Sequence, residues 1–440
     1  MESIATLWAM LVIWALGSGL SRHGGLTGPA WARTRIGRPA WAWGLGTAAA
    51  GVVLAWATWL TGWFGVWPVY VAAVLAWLIR PGERGPAAPD PPLNLSWTGR
   101  IAAWGLVILL SLVTLDRCGG DLGWDGWAVW GIKARAIHGE RRLETGVVGD
   151  MGRYGFSHPE YPPLMPLLEA FVYRHVGAVD ERHVGLLHAA WCWCAAILLL
   201  GLLRQRLPDR WAVVVTLLVV AQRPFWQSVV TGQADVPLAA ANLMVLSLLG
   251  ESGASAGIGL ALAGALLLKN EGMVTWGATA AALLVAGPDR PDGRIDSPWT
   301  VRVRALTPVL VAAASFVPWF VICRRHGLAV DLFVHGTAPV ARWAHRAGSL
   351  AAAVAVRAAA IPGPAVLLWL AVSRLAFEPR PGRRASVFAG ALAAGLLLPY
   401  VVTWKDQAWL FQTSLDRILC QLLPVMIALP ARAAQDPAPR

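Results

Sequence analysis

Asp121, Asp125 and Lys133 lie in the stretch DRCGGDLGWDGWAVWGIKARAIHGE, residues 116–140. Asp121 and Asp125 are four residues apart, and Lys133 follows Asp125 by about two helical turns. Of the 37 basic residues only three are lysine, so one interpretation of Lys133 is a compact ammonium that meets a phosphate. The alternatives are that the lysine is there by chance and that Asp125 only stabilises a helix N-terminus. The interpretation of Asp121 is a carboxylate with a secondary or structural role.

A second group of polar residues stands before a rigid turn in FSHPEYPPLMPLLEAF, residues 156–171. His158 and Glu160 precede Pro162 and Pro163 there. His158 could bind a substrate hydroxyl or a phosphate, or it could stabilise the loop. The two prolines can be purely structural, because proline ends one element and starts the next.

Charged residues also stand where apolar runs begin or end. Asp235 enters an apolar run in TGQADVPLA, where a carboxylate is costly and is usually functional or paired. Lys269 and Glu271 lie in a tight turn between two runs, in LLLKNEGMV. Lys269 is therefore a second candidate for binding phosphate, and the alternative is that Lys269 and Glu271 only pair with each other.

The composition indicates what must position these residues. The chain has 440 residues, of which 57% are hydrophobic and 14% charged, whereas about 25% of a soluble protein is charged. It also has 26 Trp, a residue that favours the headgroup level of a bilayer. This pattern predicts an all-α polytopic membrane protein.

Apolar runs of about 20 residues are long enough to span a bilayer, and several of the candidate runs are shorter. About thirteen spans are predicted: 4–20, 41–62, 65–80, 101–116, 186–203, 211–222, 235–250, 255–269, 273–287, 305–322, 348–373, 386–402 and 418–430.

Arginines in alternate short loops indicate the orientation, because such loops stay in the cytoplasm. The N-terminus is then outside, the C-terminus inside, and the long segment 117–185 on the outer face. A segment of this length needs structure of its own. We expect two surface helices in it, over 125–140 and from Leu164 to Val176.

The sequence also indicates a division of the chain. Residues 1–100 hold three spans and a Pro-rich cytoplasmic linker at 81–92, residues 101–430 form the transmembrane core, and 431–440 is a cytoplasmic tail.

The basic residues are spread through short loops, which argues against nucleic acid as a partner. The five cysteines lack the spacing of a zinc site or disulfide framework, and the first apolar run lacks the features of a cleavable signal.

Taken in order along the chain, these motifs resemble those of the GT-C glycosyltransferases. The sequence looks most like the bacterial relatives of protein O-mannosyltransferase and of lipid A aminoarabinose transferase. The matching segments cover residues 101–430, and the three preceding helices look like an addition. The segments are WDGWAVWGIKA with Asp125, HPEYPPL with His158, Pro162, Pro163 and Leu164, ADVPLA, KNEG and SLDRILCQLLP.

The resemblance implies a GT-C-like fold and transfer of a sugar from a polyprenyl-phosphate donor to an acceptor hydroxyl, with inversion and with Asp125 as the general base. The reaction would take place on the extracytoplasmic face of the inner or plasma membrane. The acceptor could be a glycan, a lipid or a protein. Lys133, Lys269 and Arg417 would bind the donor phosphate. Other substrate-binding residues would be Asp121, His158, Glu160, Asp235 and Glu271.

Two alternatives to a transferase remain at this stage. One is a transporter or flippase for a lipid-linked or small polar substrate, and the other is an inactive scaffold that keeps the fold. No cofactor is indicated, although a divalent cation shared by Asp121 and Asp125 stays open.

Overall fold

The computed structural model describes residues 1–79, 95–249, 251, 253–285, 298–329, 337–360 and 382–429. The predicted linker at 81–92, residues 361–373 of the predicted span 348–373, and the predicted tail at 431–440 lie outside the described residues. So do the last one or two residues of the predicted spans 65–80, 235–250, 273–287 and 418–430.

Within these ranges the chain is helical. The first helices in chain order are α1 (Glu2–Leu20), α2 (Gly37–Thr61), α3 (Trp67–Leu78), α4 (Trp97–Gly119), α5 (Ile132–Glu140), α6 (Gly146–Gly149), α7 (Met151–Tyr154), α8 (Leu164–Val176), α9 (Glu181–Leu203) and α10 (Asp209–Val220). The later helices are α11 (Arg223–Val230), α12 (Asp235–Leu248), α13 (Ser255–Leu268), α14 (Gly272–Val285), α15 (Pro298–Arg325), α16 (Trp343–Ala360), α17 (Arg383–Val402), α18 (Gln407–Thr413) and α19 (Leu415–Ala428).

The protein is an all-α, multi-pass membrane protein. Six of the described helices are long and apolar enough to cross a bilayer, and α10 and α11 would make a seventh span if they act as one helix bent by 61°. Four further apolar helices are shorter, namely α3, α12, α13 and α14. Within the described residues each predicted span coincides with a helix, but the count of about thirteen crossings stays a prediction.

The centre of the bundle is built from α2, α9, α12 and α13, which pack against one another. All fourteen residues of α12 are buried, so other parts of the protein surround this helix on every side, and its residues are apolar except for Asp235, Asn242 and Ser247. The first three helices join the same core, because α2 contacts α8, α9 and α13.

Glycines let α1 and α2 approach closely. A Cβ atom on Gly46 would overlap the carbonyl oxygen of Ile13, and one on Gly17 would overlap that of Ala42. Small residues at such positions allow dispersion contacts between backbones, which drive helix association in a bilayer.

Helix α8 has the predicted bounds and is covered by other helices of the protein. All residues from Leu164 to Tyr173 are buried, and the helix packs against α1, α2 and α5. The position of α8 at the membrane surface stays a prediction. Its apolar residues occur on all sides of the helix, and the N-terminal helices α1 and α2 cover the part that a surface helix would leave open.

Candidate active site

Asp125 is positioned by an unusual helix start. Residues Gly126–Gly131 form a π-helical turn that continues into α5, and such turns are frequent at functional sites. The Gly126 N–H donates to the carbonyl oxygen of Thr231 at 3.2 Å. A Cβ atom on Gly126 would overlap that oxygen, so glycine is required for this approach. Asp125 is thereby held next to the turn that precedes α12.

Asp235 is the first residue of α12 and has no exposed surface. Its Oδ1 accepts hydrogen bonds from Lys269 Nζ at 2.8 Å and from Gln421 Nε2 at 2.5 Å. Its Oδ2 accepts one from Arg417 Nε at 3.1 Å. A carboxylate buried at this depth requires such partners, because the desolvation cost of an unpaired charge is several kcal/mol.

Arg417 lies in the first turn of α19 and joins the two aspartates. Its Nη1 donates to Asp125 Oδ2 at 2.7 Å, while its Nε contacts Asp235. Gln233 donates a weaker hydrogen bond to the same Asp125 oxygen at 3.3 Å. Arg417 Nη2 and Asp125 Oδ1 make no hydrogen bond with a described residue. One donor of the arginine and one oxygen of the aspartate thus remain available to a ligand.

Lys269 and Glu271 complete the group from the turn between α13 and α14. Lys269 Nζ lies 2.8 Å from Glu271 Oε1 and 2.8 Å from Asp235 Oδ1. The predicted alternative, a pair between Lys269 and Glu271, is therefore present, and Lys269 is 2% exposed. Asp125, Asp235, Lys269, Glu271 and Arg417 are called the charged cluster below.

Three polar atoms around the charged cluster are buried without a described hydrogen-bond partner. They are Glu271 Oε2, Asn270 Nδ2 and Gln421 Oε1. Buried polar atoms are nearly always paired, and exceptions usually have a functional reason. Donors and acceptors of this kind suit the hydroxyl groups of a sugar.

Lys133 contacts backbone rather than the charged cluster. Its Nζ donates to the carbonyl oxygens of His158 and Tyr161, at 2.9 and 3.3 Å, and lies 5.2 Å from the centre of the Trp130 ring. The side chain is buried, and burial lowers the pKa of Lys133 to about 7, against the weaker opposing effect of Glu160. This lysine holds the turn before α8 in place.

His158 and Glu160 form the next layer of that turn. His158 adopts a left-handed backbone with φ of 50°, a conformation that strains a non-glycine residue. Its Nδ1 lies 3.1 Å from Glu160 Oε1, and its ring stacks on Tyr161. The carbonyl oxygen of Glu160 accepts a hydrogen bond from Trp319 Nε1, so α15 is tied to the turn.

Asp121 is exposed, and its carbonyl oxygen accepts a hydrogen bond from Arg117. Among the described residues, one group of three side chains could hold a metal ion, namely Glu2, Asp180 and His183. Asp121 and Asp125 are not part of it.

The structure thus brings together five of the nine predicted site residues. Asp125, Asp235, Lys269, Glu271 and Arg417 are in one network, whereas Lys133, His158 and Glu160 form a supporting layer and Asp121 lies apart.

Two glutamines of the network were not predicted from the sequence. Gln233 is two residues before Asp235, and Gln421 is one helical turn after Arg417. The i, i+4 spacing to Arg417 places Gln421 on the same helix face, and this is the signal that could have found it.

Comparison with known proteins finds similarity in structure only. No protein-family model and no curated protein matches the chain. Two solved structures of ArnT from Cupriavidus metallidurans are similar to it, one bound to undecaprenyl phosphate and one in the apo state. Each has 15% identity and a TM-score of 0.49, over 76% of this chain and 60% of the ArnT chain. Similarity at this level carries no conclusion about activity.

Proposed function

We propose that this protein is a membrane glycosyltransferase that moves a sugar from a polyprenyl-phosphate donor to an acceptor hydroxyl. The observation that carries the proposal is the bridge from Arg417 to both Asp125 and Asp235. It joins a partly exposed carboxylate, suited to proton transfer, to a cation with a spare donor. Those are the two groups that displacement of a phosphate from a sugar requires.

In the proposed reaction, the acceptor oxygen attacks the anomeric carbon of the donor. Asp125 takes the proton of the acceptor hydroxyl as the new carbon–oxygen bond forms. The bond between the anomeric carbon and the phosphate oxygen breaks, and the electron pair leaves with the polyprenyl phosphate. A phosphate needs no proton in order to leave, so one carboxylate base and a nearby cation are sufficient. Attack opposite the leaving group inverts the anomeric centre.

Arg417 is the proposed contact for the donor phosphate. It is partly exposed, and Nη2 has no described partner, whereas Lys269 is enclosed by Asp235 and Glu271. A phosphate that binds this guanidinium competes with Asp125 for it. Binding of the donor would therefore weaken the ion pair to Asp125 and free its carboxylate to act as a base. Glu271 and Asn270 are the proposed contacts for sugar hydroxyls.

A transferase and a transporter would require different depths for these charges. Asp235 begins α12, Lys269 follows α13, Glu271 precedes α14 and Arg417 is in the first turn of α19, so all four stand at helix ends. The proposed transferase holds these ends at the membrane face, whereas a transporter would form its site from interrupted helices near the bilayer midplane.

The proposal is tested by replacing Asp125. The full-length protein is reconstituted in liposomes with radiolabelled polyprenyl-phosphate sugars and a cell-envelope extract, and transfer of label to the acceptor is measured. We expect Asp125→Asn to lower the transfer rate by about 100-fold or more, the range typical of a lost general base. Retention of the labelled donor should persist, because Arg417 is unchanged.

Asp416→Asn is the matched control. Asp416 precedes Arg417 on the same helix and pairs with Arg357 at 2.7 Å, outside the charged cluster. Its loss should leave transfer within about twofold, as for substitutions away from a site. Full transfer by Asp125→Asn would remove that residue as the base, and translocation of the lipid without transfer would identify a flippase.

A further inference from the structure

A large cavity lies outside the charged cluster. Its volume is about 560 Å³, and it is enclosed by the end of α2, residues 142–149 and the end of α15. None of the five cluster residues lines it. The Phe64 N–H donates to the carbonyl oxygen of Arg141, so the loop after α2 is tied to the segment that forms the opposite wall.

Basic side chains line this cavity. They are Arg142, Arg325 and His326, and the one carboxylate among the lining residues is Glu144. Arg142 also pairs with Glu140, which is not a lining residue, at 2.7 Å. Glu144 Oε1 lies 2.6 Å from His326 Nε2, and its Oε2 lies 3.5 Å from Arg325 Nη1. Each of the two arginines thus already contacts a carboxylate, and a phosphate bound here would take the place of Glu144 on Arg325 and of Glu140 on Arg142.

A buried hydroxyl adds a neutral donor. Thr145 lines the cavity, is 3% exposed, and its Oγ1 has no described hydrogen-bond partner. Gly146 and Gly149 line the same wall, and their N–H groups already donate to Glu140 and to the carbonyl oxygen of Thr145. The Thr145 hydroxyl and the guanidinium groups are therefore the donors that could bind phosphate oxygens here.

The rim of the cavity lies where an apolar helix ends. Leu60, in the last turn of α2, lines the cavity and is 68% exposed, and the nearby Trp63 is also exposed. The guanidinium of Arg141 lies 5.6 Å from the Trp63 ring centre. Exposed tryptophan and arginine at the end of a span are typical of the headgroup level of a bilayer. The cavity is therefore open to lipid headgroups rather than only to water.

We propose that this cavity binds the phosphate of an anionic lipid headgroup, with Arg142 and Arg325 as its cationic contacts and Thr145 as a hydroxyl donor. The acyl chains would lie along the exposed end of α2. The site is independent of the proposed transfer reaction, because it shares no residue with the charged cluster.

Native mass spectrometry of the detergent-solubilised full-length protein tests this assignment. The protein is incubated with phosphatidylglycerol or with phosphatidylcholine of the same acyl chains, and the fraction that retains lipid is measured. We expect preferential retention of phosphatidylglycerol by the wild type. The double variant Arg142→Gln/Arg325→Gln should lower that retention at least tenfold, and Thr145→Val should lower it severalfold. Glu144→Gln should raise it, because a competing carboxylate is removed.

Arg324→Gln is the matched control, because Arg324 is exposed on the same turn of α15 and does not line the cavity. It should retain phosphatidylglycerol as the wild type does. Equal retention of both lipids by the wild type would overturn the proposal, as would an equal loss in Arg324→Gln. Inorganic phosphate tests whether the ligand is a lipid headgroup or a free phosphate ion, since both offer the same phosphate oxygens. If it raises thermal stability while phosphatidylglycerol is not retained, the ligand is a free anion and the lipid assignment is overturned.

Discussion

At the scale of single residues, Arg417 does what no other basic residue of the charged cluster could do. Its planar guanidinium contacts Asp125 through Nη1 and Asp235 through Nε, and a third nitrogen remains for a ligand. A lysine carries the same charge on one nitrogen and cannot reproduce this fork. Lys269 shows the difference, because its single ammonium is enclosed between two carboxylates.

We therefore expect Arg417→Lys to lower transfer about 100-fold, as loss of an oriented charged donor does. The Michaelis constant for the donor should rise along with the fall in turnover, and both are measured by label transfer at varied donor concentration. Arg182→Lys, at the exposed pair with Asp180, serves as the control. Wild-type kinetics in Arg417→Lys would show that charge alone, without the fork, is sufficient.

Lys133 leads to a prediction about pH. Its pKa in the folded protein is lowered to about 7 by burial, whereas an unfolded lysine keeps a pKa of about 10.4. Between these values the unfolded chain binds one proton more than the folded protein, so the free energy of unfolding rises with pH across this interval. Lys133→Met has no titratable group at this position, so its free energy of unfolding lacks this contribution to the pH dependence.

The measurement is the midpoint of thermal unfolding in detergent for the wild type and Lys133→Met at pH 6.5 and pH 9. We expect the wild type to gain stability relative to the variant at the higher pH. An unchanged difference between the two proteins would mean that Lys133 keeps its proton throughout.

At the scale of elements, the bundle depends on how closely helices approach. Gly46 lies where α2 meets the carbonyl oxygen of Ile13 in α1, and no side chain fits there without separating the helices. Helix α1 also contacts α8, which follows the turn held by Lys133. A change between α1 and α2 can therefore reach the layer that supports the charged cluster.

Gly46→Ala should accordingly lower the unfolding midpoint by several degrees, since overpacking of a tight contact costs about 1–3 kcal/mol. Gly390→Ala is the control, because Gly390 is in α17 and a Cβ atom there would meet nothing within 4 Å. That substitution should keep or slightly raise the midpoint, since alanine is the better helix former. Equal effects of the two variants would remove the packing explanation.

At the scale of the whole molecule, the question is which face of the membrane carries the charged cluster. Residues 120–180 precede α9 and residues 204–208 follow it, so the two segments lie at opposite ends of that helix. The arginines of the second segment predict that it is cytoplasmic.

We expect a cysteine at Met151 to react with a membrane-impermeant maleimide in intact cells, and a cysteine at Arg206 to react only after permeabilisation. Both positions are exposed. Cys118→Ser provides the background for both variants, because Cys118 is itself exposed. The reverse labelling pattern would place the charged cluster in the cytoplasm and would contradict an extracytoplasmic reaction.

The sequence by itself determined the helices, because apolar runs and turn residues are local signals. The predicted bounds of α8 agree with the structure, and the predicted spans all coincide with helices in the described residues. It also marked Asp235, Lys269 and Glu271, since charges are rare in so apolar a chain and these three stand at the ends of apolar runs. Asp125 was marked by its place before a Trp-rich helix, and Arg417 only by the family resemblance of SLDRILCQLLP.

Only the tertiary structure decided which of these charges meet. Asp125 and Arg417 are 292 residues apart, and nothing local to either one indicates the other. The same holds for Lys133, which the spacing placed beside Asp125 but which packing directs to the carbonyl oxygens of a later turn. Contacts between distant segments depend on how whole helices pack, and that packing is a property of the complete bundle rather than of any short stretch.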